Sequence, residues 1–251
     1  MEEKPQMLAV FVNCAAVIFG SLIGLLAAKK ITGELSSIIQ TAAGIVTFVI
    51  GTQMAFKYES IVILTLSMII GGVLGTWWDW DGKILAAGRA LEHLVDRSRG
   101  SQLAKPADTP EHNFAYAFLN SSVLFCVGAM AILGSFKAGI EKDYTIIFTK
   151  SILDGFMAIT FAAAMGVGTA FSALAIFIYQ GALTLLSVLI KPYVTDSMIS
   201  ELTSTGGALI MMIGINLLGI KKIKTANYLP AVLLAVLFVI ISPFVKSILP
   251  F

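Results

Sequence analysis

Long apolar runs alternate with short polar breaks along almost the whole chain. Most runs reach the roughly 20 apolar residues that a helix needs to cross a bilayer. They lack the strict alternation of apolar and polar residues that is typical of a membrane β-strand. The pattern therefore predicts an all-α polytopic membrane protein with about eight transmembrane helices. The expected spans are Leu8–Ala28, Leu35–Phe56, Ser60–Trp78, Asn113–Phe136, 144–165, 169–190, 199–220 and 226–248.

The count of eight depends on how the stretch Tyr144–Ile190 is divided. A single helix of that length would be far longer than a bilayer is thick. Its middle carries Gly166-Val167-Gly168, a combination suited to a tight turn. We therefore predict two spans joined there. The division places both chain termini on the same side of the membrane.

Composition supports a membrane protein and excludes several other classes. Hydrophobic residues make up 57% of the chain and charged residues only 13%, against about 45–50% and about 25% in soluble domains. The lipid bilayer is thus the first expected partner. The net charge of +2 and the lack of a basic tract argue against nucleic acid. No catalytic motif, cofactor motif or metal-ligand spacing is present, so we expect neither an enzyme, nor a cofactor, nor a metal site.

The basic residues predict how the protein sits in a bacterial inner (plasma) membrane. With eight spans, ten of the 17 Lys and Arg residues fall on one side, and they include the clusters of the 79–112 loop and 221–224. Because Lys and Arg accumulate on cytoplasmic loops, loop 79–112 is predicted to be cytoplasmic and both termini outside. Within it, Ile84, Leu91 and Val95 recur at helical spacing, which indicates an amphipathic helix followed by a linker.

An internal repeat is indicated when residues 31–56 are set against 194–219 without gaps. Gly44 then meets Gly207, Gly51 meets Gly214, and Gln53 meets Asn216. Spans 1–3 would correspond to spans 6–8 with opposite insertion, an inverted repeat of the kind found in secondary transporters. The predicted organisation is 1–78 as the N-terminal repeat, 79–112 as the cytoplasmic helix and linker, 113–167 as two linking spans, and 168–251 as the C-terminal repeat.

Polar residues inside the spans are the candidate site, because they are costly in lipid unless they face the bundle interior or a wet cavity. Lys150 and Asp154 lie four apart on one helix face and can pair; they are the expected ion or proton-coupling residues, or else a structural ion pair. The three hydroxyls and two glycines of 203–207 could unwind a helix for a solute, or could simply allow close helix packing. The expected solute-binding residues are Asn13, Gln40, Thr41, Gln53, Asn120, Gln180, Thr203, Ser204, Thr205, Gly206, Gly207 and Asn216.

Several segments together resemble a known family. They are Asn13 with GSLIG at 20–24, LFCVGAMAILGS at 124–135, KSILDG at 150–155, YQGALTLL at 179–186 and GINLLGIKKIKTANYLPA at 214–231. In this order along nearly the whole chain, they resemble the DUF554 family of bacterial membrane proteins. The resemblance implies a multi-span inner-membrane protein and carries over no catalytic or binding residue.

The physical pattern favours a secondary transporter of a small polar solute, coupled to H⁺ or Na⁺ by alternating access. A channel is the first alternative, and a membrane scaffold or sensor acting through the cytoplasmic loop is the second. A homodimer is predicted, because repeat-built transporters with few spans often pair.

Overall fold

The computed structural model describes residues 6–28, 33–84, 86 and 114–248, which form helices joined by turns and short irregular segments. Side chains at 33, 36 and 243–248 lie outside this description, as does most of the predicted cytoplasmic helix and linker. No strand occurs in the described ranges, so the all-α prediction is confirmed. The helices are α1 Leu8–Ala28, α2 Gly33–Ala55, α3 Ile61–Trp77, α4 Phe114–Cys126, α5 Ala129–Ile140, α6 Thr145–Met165, α7 Gly168–Leu185, α8 Ser187–Ile190, α9 Asp196–Leu217 and α10 Leu229–Ile248, with short 3₁₀ turns at Lys191–Tyr193 and Thr225–Tyr228.

Six of these helices are long and apolar enough to cross a bilayer, namely α1, α2, α6, α7, α9 and α10. The pair α4 and α5 passes the same test as one bent unit, which raises the number to seven. Helix α3 is apolar but has 17 residues, or about 25 Å at 1.5 Å per residue. The chain is therefore a polytopic helical membrane protein, and the count of eight stays a prediction.

The division of Tyr144–Ile190 into two helices is confirmed. Helix α6 ends at Met165 and α7 begins at Gly168. Between them Gly166 has φ +94°, a conformation that glycine adopts at little cost because it has no Cβ. The stretch therefore doubles back after Met165.

The fourth span, predicted as one helix over Asn113–Phe136, is instead broken. Helices α4 and α5 meet at Val127-Gly128 with a bend of 62°, and Gly128 has φ +128°. The second half continues to Ile140, beyond the predicted end. The apolar pattern concealed this break because residues 114–136 contain neither a charge nor a proline. The predicted sixth span also ends early, since α7 stops at Leu185 and the short α8 follows.

Helices α1 and α6 run parallel and approach very closely. Gly20 lies against the backbone of Gly155, and Gly24, one turn later, lies against the backbone of Ile159. An added Cβ at either α1 glycine would collide with a carbonyl group of α6. The GSLIG segment is thus a helix-contact motif in this fold, as expected for small residues spaced four apart.

Three further pairs pack antiparallel: α1 with α7, α2 with α9, and α3 with α10. In the α2–α9 pair, Gly44 lies against Leu218. Gly51, two turns further along α2, lies against Met211, which is seven residues before Leu218 in α9. Likewise Gly71 of α3 meets Ala231 and Gly75 meets Asn227. We call the end of the bundle where α1 begins the near end, and the other end the far end.

The helix directions fix which segments share each end. Ala9 and Tyr144 belong to one cluster, so α1 and α6 both begin at the near end. The start of α4 packs against Gly168, so α4 begins at the far end beside the α6–α7 turn. Residues on both flanks of 87–113 therefore lie at the far end. Helix α10 runs from the far end to the near end, where α1 also begins.

Candidate functional site

A buried ion pair lies halfway along α6. Lys150 and Asp154 are 5% and 8% exposed, and the Lys150 ammonium donates to Asp154 Oδ2. Asp154 is the tenth of the helix's 21 residues. Each charge would be very costly alone in a low-dielectric interior, so their mutual contact is what makes their burial tolerable.

Two amides from other helices complete this charged cluster, which we define as Asn13, Lys150, Asp154 and Gln180. Asn13 Nδ2 donates to Asp154 Oδ2 and to Gln180 Oε1, each at 3.1 Å. Both amides are fully buried. The cluster thus joins α1, α6 and α7, and brings together four of the residues expected from the sequence.

The amides of the charged cluster keep hydrogen-bonding capacity. Asn13 Oδ1 and Gln180 Nε2 are buried and have no hydrogen-bond partner among the described residues. Most buried polar atoms in native proteins are paired. Asn13 Oδ1 can therefore accept, and Gln180 Nε2 can donate, a further hydrogen bond close to the Asp154 carboxylate and the Lys150 ammonium. This combination of groups is suited to binding a small polar species or a proton.

The break between α4 and α5 lies next to this cluster. The Cys126 thiol, at the end of α4, is close enough to Lys150 and Asp154 to sense both charges. Val127 then packs against Gly206 of α9, and Gly128 against Met54 of α2. The broken helix therefore connects the charged cluster to the pair α2–α9.

A separate polar cleft of about 260 Å³ lies at the far end. Asn120 is 6% exposed, and among the described residues its only hydrogen bond is a weak one of 3.8 Å to Met165 Sδ. Gln40 Nε2 donates to the carbonyl of Leu217 at 3.2 Å. The far-end cleft is lined by Gln40, Tyr116, Asn120, Ala164, Met165, Asn216, Leu217, Gly219, Lys222, Ile223 and Lys224.

Asn216 holds the loop that borders this cleft. Its Nδ2 donates to the carbonyl of Ile223 at 2.9 Å, and its Oδ1 accepts from the Ile223 N–H at 2.7 Å. A further bond of 3.3 Å reaches Thr225 Oγ1. Because both ends of the amide are engaged, Asn216 positions the loop carrying Lys222 and Lys224.

The remaining expected residues are not brought to either site. Thr41 and Gln53 are exposed on the outer face of α2. Helix α9 continues unbroken through 203–207, so the unwinding considered for this segment occurs at Val127-Gly128 instead. Ser204 Oγ donates to the carbonyl of Glu201 at 3.2 Å, while the buried hydroxyls of Thr203 and Thr205 have no partner in the described part of the chain. Gly207 packs against Gly51 and Ala55.

Comparison with known proteins places the chain in a family. The model of the family described as "Protein of unknown function (DUF554)" matches residues 8–240. The chain belongs to the DUF554 family. It is 32% identical over 240 residues to the "Uncharacterized membrane protein YdfK" of Bacillus subtilis (strain 168), covering 93% of this chain and 97% of that protein. It is 27% identical over 230 residues to the "Uncharacterized protein YqgA" of Escherichia coli (strain K12), covering 92% and 95%. No solved structure matches.

Sequence reasoning missed the outer part of the far-end cleft in this DUF554 chain. Tyr116, Lys222 and Lys224 line it, although none was expected to be a site residue. Burial raises the pKa of the nearby Asp81 carboxyl, opposed by the Lys224 ammonium and the Tyr116 hydroxyl, which bonds to it. The available signal was the cluster KKIK at 221–224, whose lysines were used only to orient the chain.

Among the described helix residues, Glu201 is a second buried carboxylate, and one of its two oxygens is engaged by another helix. Its Oε1 accepts from the backbone N–H groups of Glu59 at 2.9 Å and Ser60 at 2.6 Å. These donors lie at the start of α3, where backbone N–H groups lack intrahelical partners. Glu201 therefore ties the start of α3 to α9 at the near end. No group of three or more potential metal ligands occurs in the described ranges.

Proposed function

We propose that this DUF554 protein is a secondary transporter of a small polar solute, coupled to H⁺ or Na⁺, that works by alternating access. The observation that carries the proposal is the Lys150–Asp154 pair, buried at the middle of α6 and held by amides from two other helices. Ionisable residues at this depth are rare and mark ion, proton or substrate pathways.

The pair can serve as a coupling site because its net charge depends on what Asp154 binds. With both groups ionised, the cluster is neutral and Asn13 links Asp154 to Gln180. Binding of H⁺ or Na⁺ at Asp154 weakens its hold on Lys150 and releases Asn13 Nδ2. The lysine then needs another partner, and a solute that supplies one makes binding of solute and ion interdependent.

The break at Val127-Gly128 supports transport over simple packing. Discontinuous helices at mid-membrane expose backbone groups, and many transporter sites are built on them. Here Cys126, at the break, packs against the hydrophobic core that includes Ala158 of α6, and Val127 packs against Gly206 of α9. A movement of α9 against the broken helix would therefore alter the packing around Asp154.

The contacts between α2 and α9 support the inverted repeat. Gly51 lies on Met211, and its repeat counterpart Gly214 lies on Phe48, the counterpart of Met211. A second reciprocal set of contacts lies further along the two helices. Gly44 lies against Leu218, and Gly207, the counterpart of Gly44, lies against Ala55, the counterpart of Leu218. If α2 and α9 are exchanged, each contact is replaced by the equivalent contact between the counterpart residues. A two-fold axis between two antiparallel helices requires this relation. This reciprocity favours a gate formed by α2 and α9.

We further propose that the far end faces the cytoplasm of a bacterial inner membrane. The flanks of the 79–112 loop and the lysines at 221–224 lie at this end, whereas α1 begins and α10 ends at the other. That distribution agrees with the enrichment of Lys and Arg in cytoplasmic loops. The far-end cleft is then a cytoplasmic vestibule.

Counterflow in liposomes tests the proposal and separates it from a channel. Purified protein is reconstituted, loaded with one unlabelled polar solute from a panel of amino acids, sugars and organic acids, and diluted into a trace of the same labelled solute. A transporter accumulates label transiently for its own substrate, and Asp154→Asn abolishes coupling to an imposed H⁺ or Na⁺ gradient. Conductance without counterflow would support a channel. Full gradient-driven uptake by Asp154→Asn would remove Asp154 from the mechanism.

A further inference from the structure

The far-end cleft has a one-sided charge distribution. Two of its lining residues, Lys222 and Lys224, are cationic and exposed, and none of its lining residues is a carboxylate. The Asp81 carboxylate interacts electrostatically with Lys224, but it is buried and hydrogen-bonded to Tyr116. A cavity bordered by two ammonium groups over apolar walls raises the local concentration of anions.

The inner part of the cleft offers uncharged polar groups. Asn120 lies in its wall, more than nine-tenths buried, and its amide has only the weak contact with Met165 sulfur. Gln40 uses its Nε2 to bind Leu217. The inner wall therefore combines a largely uncommitted Asn120 amide with apolar Ala164 and Met165, while the charges stand at the mouth.

The lysines are held at the mouth rather than carried on a loose tail. Asn216 bonds both backbone groups of Ile223, the residue between Lys222 and Lys224. Gly219, with φ +69°, turns the chain at the end of α9. Lysines after a helix C-terminus also complement its dipole, but that effect alone does not require a polar cavity beneath them.

We infer that the far-end cleft binds a small organic anion, and that the transported solute is therefore anionic. Its negative group would contact Lys222 and Lys224, and its polar remainder would reach Asn120. A volume of about 260 Å³ accommodates a molecule of a few carbon atoms. The assignment of this anion as substrate rests on the proposed transport function, whereas its binding in the cleft does not.

Charged thiol reagents test the cleft without knowledge of the substrate. In a Cys14→Ala, Cys126→Ala background, a single cysteine is placed by Gln40→Cys inside the cleft. Its modification rates by anionic sulfonatoethyl and cationic trimethylammonioethyl methanethiosulfonate are normalised to those of a free thiol. Two nearby ammonium groups should favour the anionic reagent by about tenfold. Thr41→Cys, the next residue but on the outer face of α2, is the matched control.

The preference for the anionic reagent should disappear when Lys222→Gln and Lys224→Gln are combined with Gln40→Cys. It should also be absent when the cysteine is placed by Thr41→Cys. Succinate should slow modification of Gln40→Cys severalfold in phosphatidylcholine nanodiscs, whereas its neutral isostere succinamide should not. Equal normalised rates, or a preference that survives loss of both lysines, would overturn an anion site. Protection only by phosphatidylglycerol would assign the cleft to lipid headgroups and overturn the anionic substrate. If succinate protects Gln40→Cys but the protein shows no counterflow in liposomes, the anion-binding site stands and the proposed transport function is refuted.

Discussion

Removing one member of the Lys150–Asp154 pair should be far more damaging than removing both. Asp154→Asn leaves an ammonium in a position that is 5% exposed, without the carboxylate that is its one salt-bridge partner among the described residues. Lys150→Met leaves the Asp154 carboxylate with a single hydrogen bond from Asn13. The double variant Lys150→Met, Asp154→Asn removes both charges and keeps similar side-chain volumes.

The magnitude follows from the burial of the pair. Breaking a buried ion pair by deleting one partner costs about 3–5 kcal/mol, whereas replacing both partners with neutral groups is often close to neutral. Each single variant should therefore lower the folding equilibrium constant by roughly 10²- to 10⁴-fold. The double variant should recover to within about 1 kcal/mol of the parent protein.

Reversible unfolding by sodium dodecyl sulfate from dodecylmaltoside micelles, followed by helical circular dichroism, measures these differences. The exposed pair Lys137–Asp143, 3.6 Å apart, is the control, and Asp143→Asn should cost under about 1 kcal/mol. The reasoning is refuted if Asp154→Asn costs no more than Asp143→Asn, or if the double variant is as unstable as the singles. A stable double variant that no longer transports would separate the structural role of the pair from coupling.

Three further expectations address packing, capping and the cleft. Gly24→Ala should lower the free energy of unfolding by about 1–3 kcal/mol through overpacking against α6, whereas Gly155→Ala, whose Cβ meets its nearest atom at 3.4 Å, should be nearly neutral in the same titration. Glu201→Ala should cost about 1–3 kcal/mol, and Glu201→Gln less because one acceptor remains; equal losses would show that capping is not its role. Asn216→Ala should expose the chain near 219–225 to proteolysis, and protection equal to that of the parent would contradict its loop-holding role.

The apolar pattern sufficed for the helices whose ends coincide with polar residues or a glycine turn. Helix α1 begins and ends as expected, and the Gly166 turn divides α6 from α7. The pattern failed at Val127-Gly128, because a break inside an apolar segment leaves the hydropathy unchanged. Only the positive φ of Gly128 distinguishes it, and a lone glycine in a membrane helix usually marks packing.

Four of the predicted site residues come together where burying a polar group is costly, although their role stays a prediction. Asn13, Lys150, Asp154 and Gln180 meet because each needs a partner away from water, and the three helices supply partners to one another. Hydropathy could not tell that Gln53 points outward on α2, because the face of a helix depends on which neighbours it packs against.

The cleft shows a second limit of sequence reasoning. Lys222 and Lys224 follow the end of α9, where basic residues are common for reasons of topology and helix dipole. Their relation to Asn120, about a hundred positions earlier in the chain, arises only from tertiary packing. No local pattern connects the two.

Alternating access is the central claim, and distances at the two ends of α2 test it most directly. Spin labels at Ile38 and Val167 report the far end, and labels at Phe56 and Lys137 report the near end; all four positions are exposed. Pulsed dipolar spectroscopy in lipid nanodiscs should give two distances for each pair. Conditions that lengthen one pair should shorten the other, and Asp154→Asn should shift both populations in opposite directions. A single distance at each end, unchanged by pH, Na⁺ or Asp154→Asn, would contradict the account.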